Sequence, residues 1–189
     1  MDTMIRKDFK YKKINNFLTI EERMLLKEYF LIKHRINNDF SQPHIEVNGP
    51  SFQIYGDAAT DSLMLQKKEL IEKESGLKLL PTYSFFRMYT MFTKLIKHSD
   101  RPACEISVTV CLDSDGTEWP IYLDGNPVYL EPGEAAIYLG LEVEHWREEF
   151  KGDYSSHIFM HYVNKDGPYV NCFMDERDFY GTRESRRKK

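Results

Sequence analysis

At Leu79 the hydrophobic period of this chain changes from the helical value near 3.6 to two, and it stays at two to Val163. Strands are expected at Tyr83–Met91, Glu105–Leu112, Ile121–Leu123, Pro127–Leu130, Glu134–Leu139 and His157–Val163. Turn signals separate them: Asp115-Gly116, Asp124-Gly125-Asn126, Glu131-Pro132-Gly133, Lys151-Gly152-Asp153 and Asp166-Gly167-Pro168. Many short strands at such spacing close on themselves or stack as two sheets, so a barrel or a jelly roll is expected. The fold class is mainly β.

The first 78 residues read differently. Thr19-Ile20-Glu21-Glu22 is a capping box, and Leu25, Leu26, Tyr29, Phe30 and Ile32 form an apolar stripe after it. A second helix begins near Asp57 or Thr60 and runs through Leu63, Met64, Leu70 and Ile71 to Gly76, placed where a C′ glycine belongs. Between them Ser41–Gly56 reads as loop, with a short strand at Ser51–Tyr55. The expectation is one domain: N-terminal helices over 1–78 packed outside a β core over 79–181, then a basic tail over 182–189. The N-terminal part is expected to be mostly helical, with that one short strand.

A net charge of -4 argues against a dedicated nucleic-acid binder, and the one basic run, Arg186-Arg187-Lys188-Lys189, reads as a solvated tail. Three cysteines, Cys104, Cys111 and Cys172, form no CxxC pair and suggest neither a disulfide framework nor a thiolate zinc site. Met1–Lys13 is charged and without an apolar stretch, and no run is long enough to span a bilayer. A reducing, cytoplasmic setting is expected.

One constellation proposes a chemistry. His98-Ser99-Asp100 places His98 and Asp100 on the same side of an extended segment, and His145 follows far downstream. Two histidines and one carboxylate form the facial triad that holds non-haem Fe(II) with positions left open. Spacing alone also admits a surface His/Asp pair, and among six histidines a later one is no evidence in itself. Other residues have bland readings. Glu105 can pair with Arg101 in a structural salt bridge. Asp175-Glu176-Arg177-Asp178 reads as a solvated turn. His161 either lines a substrate pocket or is a satisfied core histidine.

The company of the triad is informative. Pro81-Thr82-Tyr83-Ser84-Phe85-Phe86-Arg87-Met88-Tyr89 precedes it, and Arg101-Pro102-Ala103-Cys104-Glu105-Ile106-Ser107-Val108-Thr109 follows. Further on stand Trp119-Pro120-Ile121, Glu131-Pro132-Gly133-Glu134-Ala135, Glu144-His145-Trp146-Arg147-Glu148 and Phe159-Met160-His161-Tyr162. From about Leu79 to Gly181 this ordered set resembles the 2-oxoglutarate/Fe(II)-dependent oxygenases of the prolyl-4-hydroxylase-like kind.

The resemblance implies a double-stranded β-helix (jelly roll). It implies His98, Asp100 and His145 as iron ligands, with 2-oxoglutarate as co-substrate and O2 as oxidant. It implies oxidative decarboxylation of 2-oxoglutarate coupled to hydroxylation of a C–H bond. The metal ligands would be the only catalytic residues. Tyr89 matches the tyrosine that hydrogen-bonds the far carboxylate of 2-oxoglutarate. The family adds a cation about ten residues beyond the distal histidine; here that stretch is Tyr154-Ser155-Ser156-His157. A buried dicarboxylate needs a cationic partner. By strand alternation Arg87, then His157, are the candidates, with Arg147 and Lys151 nearer the rim. The substrate is expected to be a peptidyl proline or another amino-acid side chain; a small-molecule hydroxylase and a catalytically inactive jelly-roll binding protein are the alternatives. Oligomeric state and the identity of the partner are not legible.

Overall fold

The computed structural model describes residues 9–37, 47–49 and 51–182. The tail at Arg186-Arg187-Lys188-Lys189 and positions 41–46 and 50 of the first long loop lie outside them. Eleven strands and two α-helices follow one another in this order: β1 Tyr11–Ile14, α1 Ile20–Asn37, β2 Val47–Asn48, β3 Ser51–Tyr55, α2 Ala58–Ser75, β4 Leu79–Thr90, β5 Lys94–His98, β6 Ile106–Ser114, β7 Ile121–Leu123, β8 Asn126–Val128, β9 Ala135–Leu139, β10 His145–Arg147 and β11 Tyr154–Asn164. Short 3₁₀ turns cover Pro102–Cys104 and Val170–Glu176.

Two antiparallel sheets carry the fold. The larger has the strand order β1-β9-β6-β11-β4-β3, and the smaller β2-β5-β10-β7-β8. The expected jelly roll is thus the architecture observed. Four of the expected strands, β4, β6, β8 and β11, run one to four residues past a predicted limit at one end or both, β9 starts one residue late, and β3 and β7 coincide with expectation. The structure adds to the N-terminal part. Beside the expected strand β3, which pairs with β4, it contributes β1, which pairs with β9, and β2, which pairs with β5. β1, β2, β5 and β10, each two to five residues long, were not among the expected strands.

The helices form as their caps dictate. Thr19 Oγ1 accepts from the Glu22 amide at 3.1 Å and Glu22 Oε2 accepts from the Thr19 amide at 2.9 Å, closing the capping box. In α2, Asp57 accepts from the Ala59 amide, and Gly76 takes φ 75° to return its N–H to Glu72 O. Both helices pack on one face of the larger sheet. Leu26 and Phe30 of α1 and Leu63, Met64 and Ile71 of α2 meet Phe86, Met88, Val108, Val110, Ile158, Met160 and Tyr162 there. Phe30 stacks on Phe86 with ring centroids 3.7 Å apart, and Tyr162 donates to Met64 O at 2.7 Å.

Because side chains alternate, the other face of the same strands carries Tyr83, Phe85, Arg87, Tyr89, Ser107, Thr109, His157, Phe159 and His161. Several of these, with residues of the smaller sheet, enclose a cavity of about 190 Å³.

The Asp175–Asp178 run corrects a second expectation. Arg177 is 2% exposed and donates to Asp61 Oδ2 at 2.7 Å and to Thr82 O at 2.9 Å. Asp175 accepts two hydrogen bonds from Arg101, at 2.8 and 2.7 Å, and one from Tyr55. Arg101 is therefore committed to Asp175 rather than to Glu105. Glu105 instead accepts from the Asn164 amide at 2.7 Å.

Candidate metal centre and co-substrate pocket

His98 ends β5 and His145 begins β10, and the two face each other directly across an antiparallel pair. Register alone brings two histidines 47 positions apart in sequence to a ring separation of 4.3 Å. Asp100 sits two residues beyond the strand end. Its amide donates to Gly140 O at 2.8 Å, and the Gly140 amide donates to Glu105 O at 3.0 Å. A Cβ on Gly140 would lie 2.1 Å from Cys104 O and 2.5 Å from Asp100 Oδ2, so only glycine allows this approach.

The donor atoms of His98, Asp100 and His145 lie within 4.8 Å of one another. Asp100 Oδ1 is 3.9 Å from His98 Nε2 and 3.6 Å from His145 Nε2. Both rings use Nδ1 toward a backbone carbonyl two residues earlier: His98 with Ile96 O at 2.7 Å, His145 with Val143 O at 3.0 Å. A carbonyl can only accept, so Nδ1 carries the hydrogen and Nε2 presents its lone pair toward Asp100. Burial, with His98 beside it, lowers the His145 pKa to about 4 and keeps it neutral at neutral pH. The far oxygen of Asp100, Oδ2, accepts from Ser107 Oγ at 2.6 Å, which orients the carboxylate. Two neutral imidazole nitrogens and a carboxylate oxygen converging this way fit a divalent iron.

The same place brings a second set together: Asp100, Cys104 and His161. Burial pushes the Cys104 thiol far up, and Tyr83 Oη is 3.1 Å from its sulfur. A protonated thiol is a poor metal ligand, so the imidazole–carboxylate set is the better one.

Arg87 and Tyr89 line the cavity with His98, Asp100 and His145. The Arg87 guanidinium is 4% exposed, packs over the Phe85 ring, donates to Tyr89 Oη at 3.4 Å and to Gln53 Oε1 at 3.2 Å, and leaves its Nε without a partner. No carboxylate among the described residues reaches it. A buried cation in that state fits an anionic ligand.

His157 is placed otherwise. It pairs in register with Arg87 but lies outside the cavity wall, with Arg147 donating to its Nδ1 at 3.4 Å and Ser155 Oγ 2.9 Å from its Nε2. Burial, then Arg147 and Arg87, holds its pKa well below the ordinary value, so it supplies no positive charge. Arg147 is not at the rim: it is 1% exposed, stacks over Trp119 and donates to Trp119 O. The bulge between His145 and Arg147 turns it inward.

Sequence reasoning missed Ser107, Gln53 and Gly140. Ser107 was within reach, since alternation with Ile106 and Val108 puts it on the site face. Gln53 and Gly140 act through contacts across long sequence separations, for which no local pattern exists.

No family model matches the chain, and no curated protein matches it. Solved structures do. A Pseudomonas putida prolyl-4-hydroxylase is 15% identical over 84% of this chain and 94% of that chain, with a TM-score of 0.63. A prolyl hydroxylase from Trichoplax adhaerens, in complex with a hypoxia inducible factor peptide fragment, is 14% identical over 86% and 87%, TM-score 0.61. HygX from Streptomyces hygroscopicus, with nickel and 2-oxoglutarate bound, is 10% identical over 84% of each, TM-score 0.65. At such identities the likeness is one of fold: this chain has the jelly-roll fold of the prolyl-4-hydroxylase-like 2-oxoglutarate/Fe(II) oxygenases.

Proposed function

We propose that this protein is an Fe(II)- and 2-oxoglutarate-dependent dioxygenase that hydroxylates a C–H bond of a peptidyl proline or another amino-acid side chain. The observation that carries the reading is a single cavity wall holding both halves of such a site. His98 Nε2, His145 Nε2 and Asp100 Oδ1 converge at one place, and the buried, carboxylate-free guanidinium of Arg87 lines the same cavity.

Bound there, iron with 2-oxoglutarate and O2 would supply the oxidising chemistry: 2-oxoglutarate is oxidised to succinate and carbon dioxide, one oxygen atom of O2 ending in succinate and the other in the substrate's new C–OH. The chain's own residues do the rest. His98, Asp100 and His145 hold the metal on one side and leave the other open to ligands. Arg87, with the Tyr89 hydroxyl beside it, pairs with the far carboxylate and so sets the direction in which the co-substrate lies. Phe85, Phe159 and Tyr138 exclude water from the space between. Ser155 stands where the family's cation is expected. Arg87 compensates from the neighbouring strand, directly opposite His157 in register.

A small-molecule substrate is the second reading, favoured by a cavity of about 190 Å³. That volume accommodates the co-substrate with one side chain or a compact molecule, but not a bulky one. The prolyl hydroxylases among the structural neighbours favour the peptidyl substrate.

Anaerobic addition of Fe(II) and 2-oxoglutarate is the direct test. A weak visible charge-transfer band, lost in Asp100→Ala, is expected, followed in air by succinate formation. Absence of the band with metal-free protein sinks the proposal and leaves a jelly-roll binding protein.

A further inference from the structure

Ser107 has one hydroxyl hydrogen and three neighbours that compete for it: Asp100 Oδ2 at 2.6 Å, Cys104 O at 3.2 Å and His161 Nδ1 at 3.0 Å. The Asp100 carboxylate is much the shortest contact, so the hydrogen goes to it. Two lone pairs cannot face each other at 3.0 Å. His161 Nδ1 must therefore be the donor, and the neutral ring keeps its lone pair on Nε2. No carboxylate among the described residues lies within ion-pair distance of His161, which is 6% exposed. Burial, then Arg101, disfavours the charged imidazolium and outweighs the opposing pull of Asp175.

The ring of His161 lines the cavity, and no described residue hydrogen-bonds its Nε2. Aromatic rings flank it. Tyr83 lies 4.5 Å away centroid to centroid, Tyr55 stacks on Tyr83 at 5.0 Å, and Phe159 and Phe85 continue the wall. An acceptor of fixed tautomer, set among aromatic rings beside Asp100, is an arrangement that selects a donor.

We propose that His161 is a specificity residue whose Nε2 accepts a hydrogen bond from an N–H or O–H group of the substrate, held between Tyr83 and Phe159 and next to the carbon to be oxidised. The inference rests on the oxygenase reading for the meaning of the cavity. Within the proposed function it favours a compact side chain or small molecule with a donor close to the reacting C–H over a peptidyl proline, whose ring nitrogen carries no hydrogen.

The test reads tautomer and binding rather than turnover. In the full-length chain with isotope-labelled histidine, long-range proton–nitrogen spectra are expected to show His161 as the Nδ1–H tautomer, its signal assigned by its loss in His161→Asn. The probes are 2-pyrrolidinone, a five-membered lactam with an N–H, and N-methyl-2-pyrrolidinone, of nearly the same shape without one. The lactam is expected to shift the His161 Nε2 signal and to bind about tenfold tighter than its methylated partner. In His161→Asn the amide nitrogen replaces Nδ1 and keeps the bond to Ser107, but the acceptor is gone, so the ratio falls to near one. In His161→Gln an oxygen replaces Nε2 and the ratio persists. The opposite tautomer, equal affinity of the two probes, no binding of the lactam, or a ratio unchanged in His161→Asn overturns the proposal. Neither readout needs iron or 2-oxoglutarate, so failure of the chelate band sinks the oxygenase reading alone.

Discussion

The two faces of the six-stranded sheet share every strand and almost nothing else. Toward the helices, Phe86, Met88, Val108, Val110, Ile158, Met160 and Tyr162 pack against α1 and α2, and the polar groups there have partners: the Tyr162 hydroxyl donates to Met64 O, and the Ser84 hydroxyl lies 2.7 Å from Thr60 Oγ1 and from Asp61 Oδ1. Toward the smaller sheet, the alternate residues Arg87, Ser107, Thr109, His157 and His161 are buried polar groups. Two atoms of this face, Arg87 Nε and Thr109 Oγ1, remain unsatisfied. One face minimises free energy and the other carries unmet hydrogen-bonding capacity. Burying polar groups without partners costs roughly 1–3 kcal/mol each, so the apolar face stabilises a site that on its own would not fold.

Substitutions on opposite faces should therefore separate function from stability. Asp100→Ala has the largest expected effect: succinate formation falls to background while the melting temperature changes little, and retained turnover would remove Asp100 from the metal site. Met160→Ala on the helix face should cost about 2–5 kcal/mol in chemical denaturation, since it opens a cavity in a fully buried layer. Affinity of the folded fraction for 2-oxoglutarate should be unchanged.

Arg87→Met crosses the comparison. It should weaken 2-oxoglutarate binding by roughly 100-fold, the loss of a charged hydrogen-bonded partner, measured by titration. The ligand-free variant should be as stable as the parent or more so, because an unpaired buried cation is replaced by an apolar chain of similar length. A destabilised variant would show that Arg87 belongs structurally to the packed face.

Between pH 7 and 5 acid should act first through the buried histidines of the site, His145 among them; the lowered carboxylates Glu22 and Glu72 outside it respond only at lower pH. His161 is lowered to about 3 by burial, then by Arg101, and His157 well below its ordinary value by burial, then by Arg147 and Arg87. Unfolded, both titrate near 6.5. Below that pH the unfolded chain takes up protons the fold refuses. Stability should be constant above about pH 6.5 and fall below it, by up to about 1.4 kcal/mol per pH unit for each histidine until its folded pKa is reached. Thermal melts between pH 7 and 5 measure this, and His161→Asn should reduce the slope. Ser107→Ala carries the smallest effect, about tenfold weaker metal binding by competition with a chelator, because Asp100 loses its orienting donor. Unaltered metal affinity would assign Ser107 to His161 alone.

Much of this division is already written along the chain. Alternation over Tyr83–Tyr89 and His157–Val163 assigns residues to faces, and the caps at Thr19, Asp57 and Gly76 bound both helices, because each signal is local and repeats within a few residues. His98, Asp100, His145, Arg87 and Tyr89 were named from pattern and resemblance, and the structure places all five on one cavity. His157 was named by the same alternation yet stands behind the wall, since a face contains more positions than a cavity exposes.

What the chain alone determined is the periodicity, and with it two apolar-faced helices, a two-sheet β fold and the side of each strand that faces the site. Only the tertiary structure decided the rest. It set the register that puts His145 opposite His98, the bulge that buries Arg147, the fit of Gly140 under Asp100 and the commitment of Arg101 and Arg177 to Asp175 and Asp61. The reason is physical: period and capping are energies of neighbours in sequence, whereas register, close approach and buried charge pairing are energies of neighbours in space, which exist only once the sheets have closed.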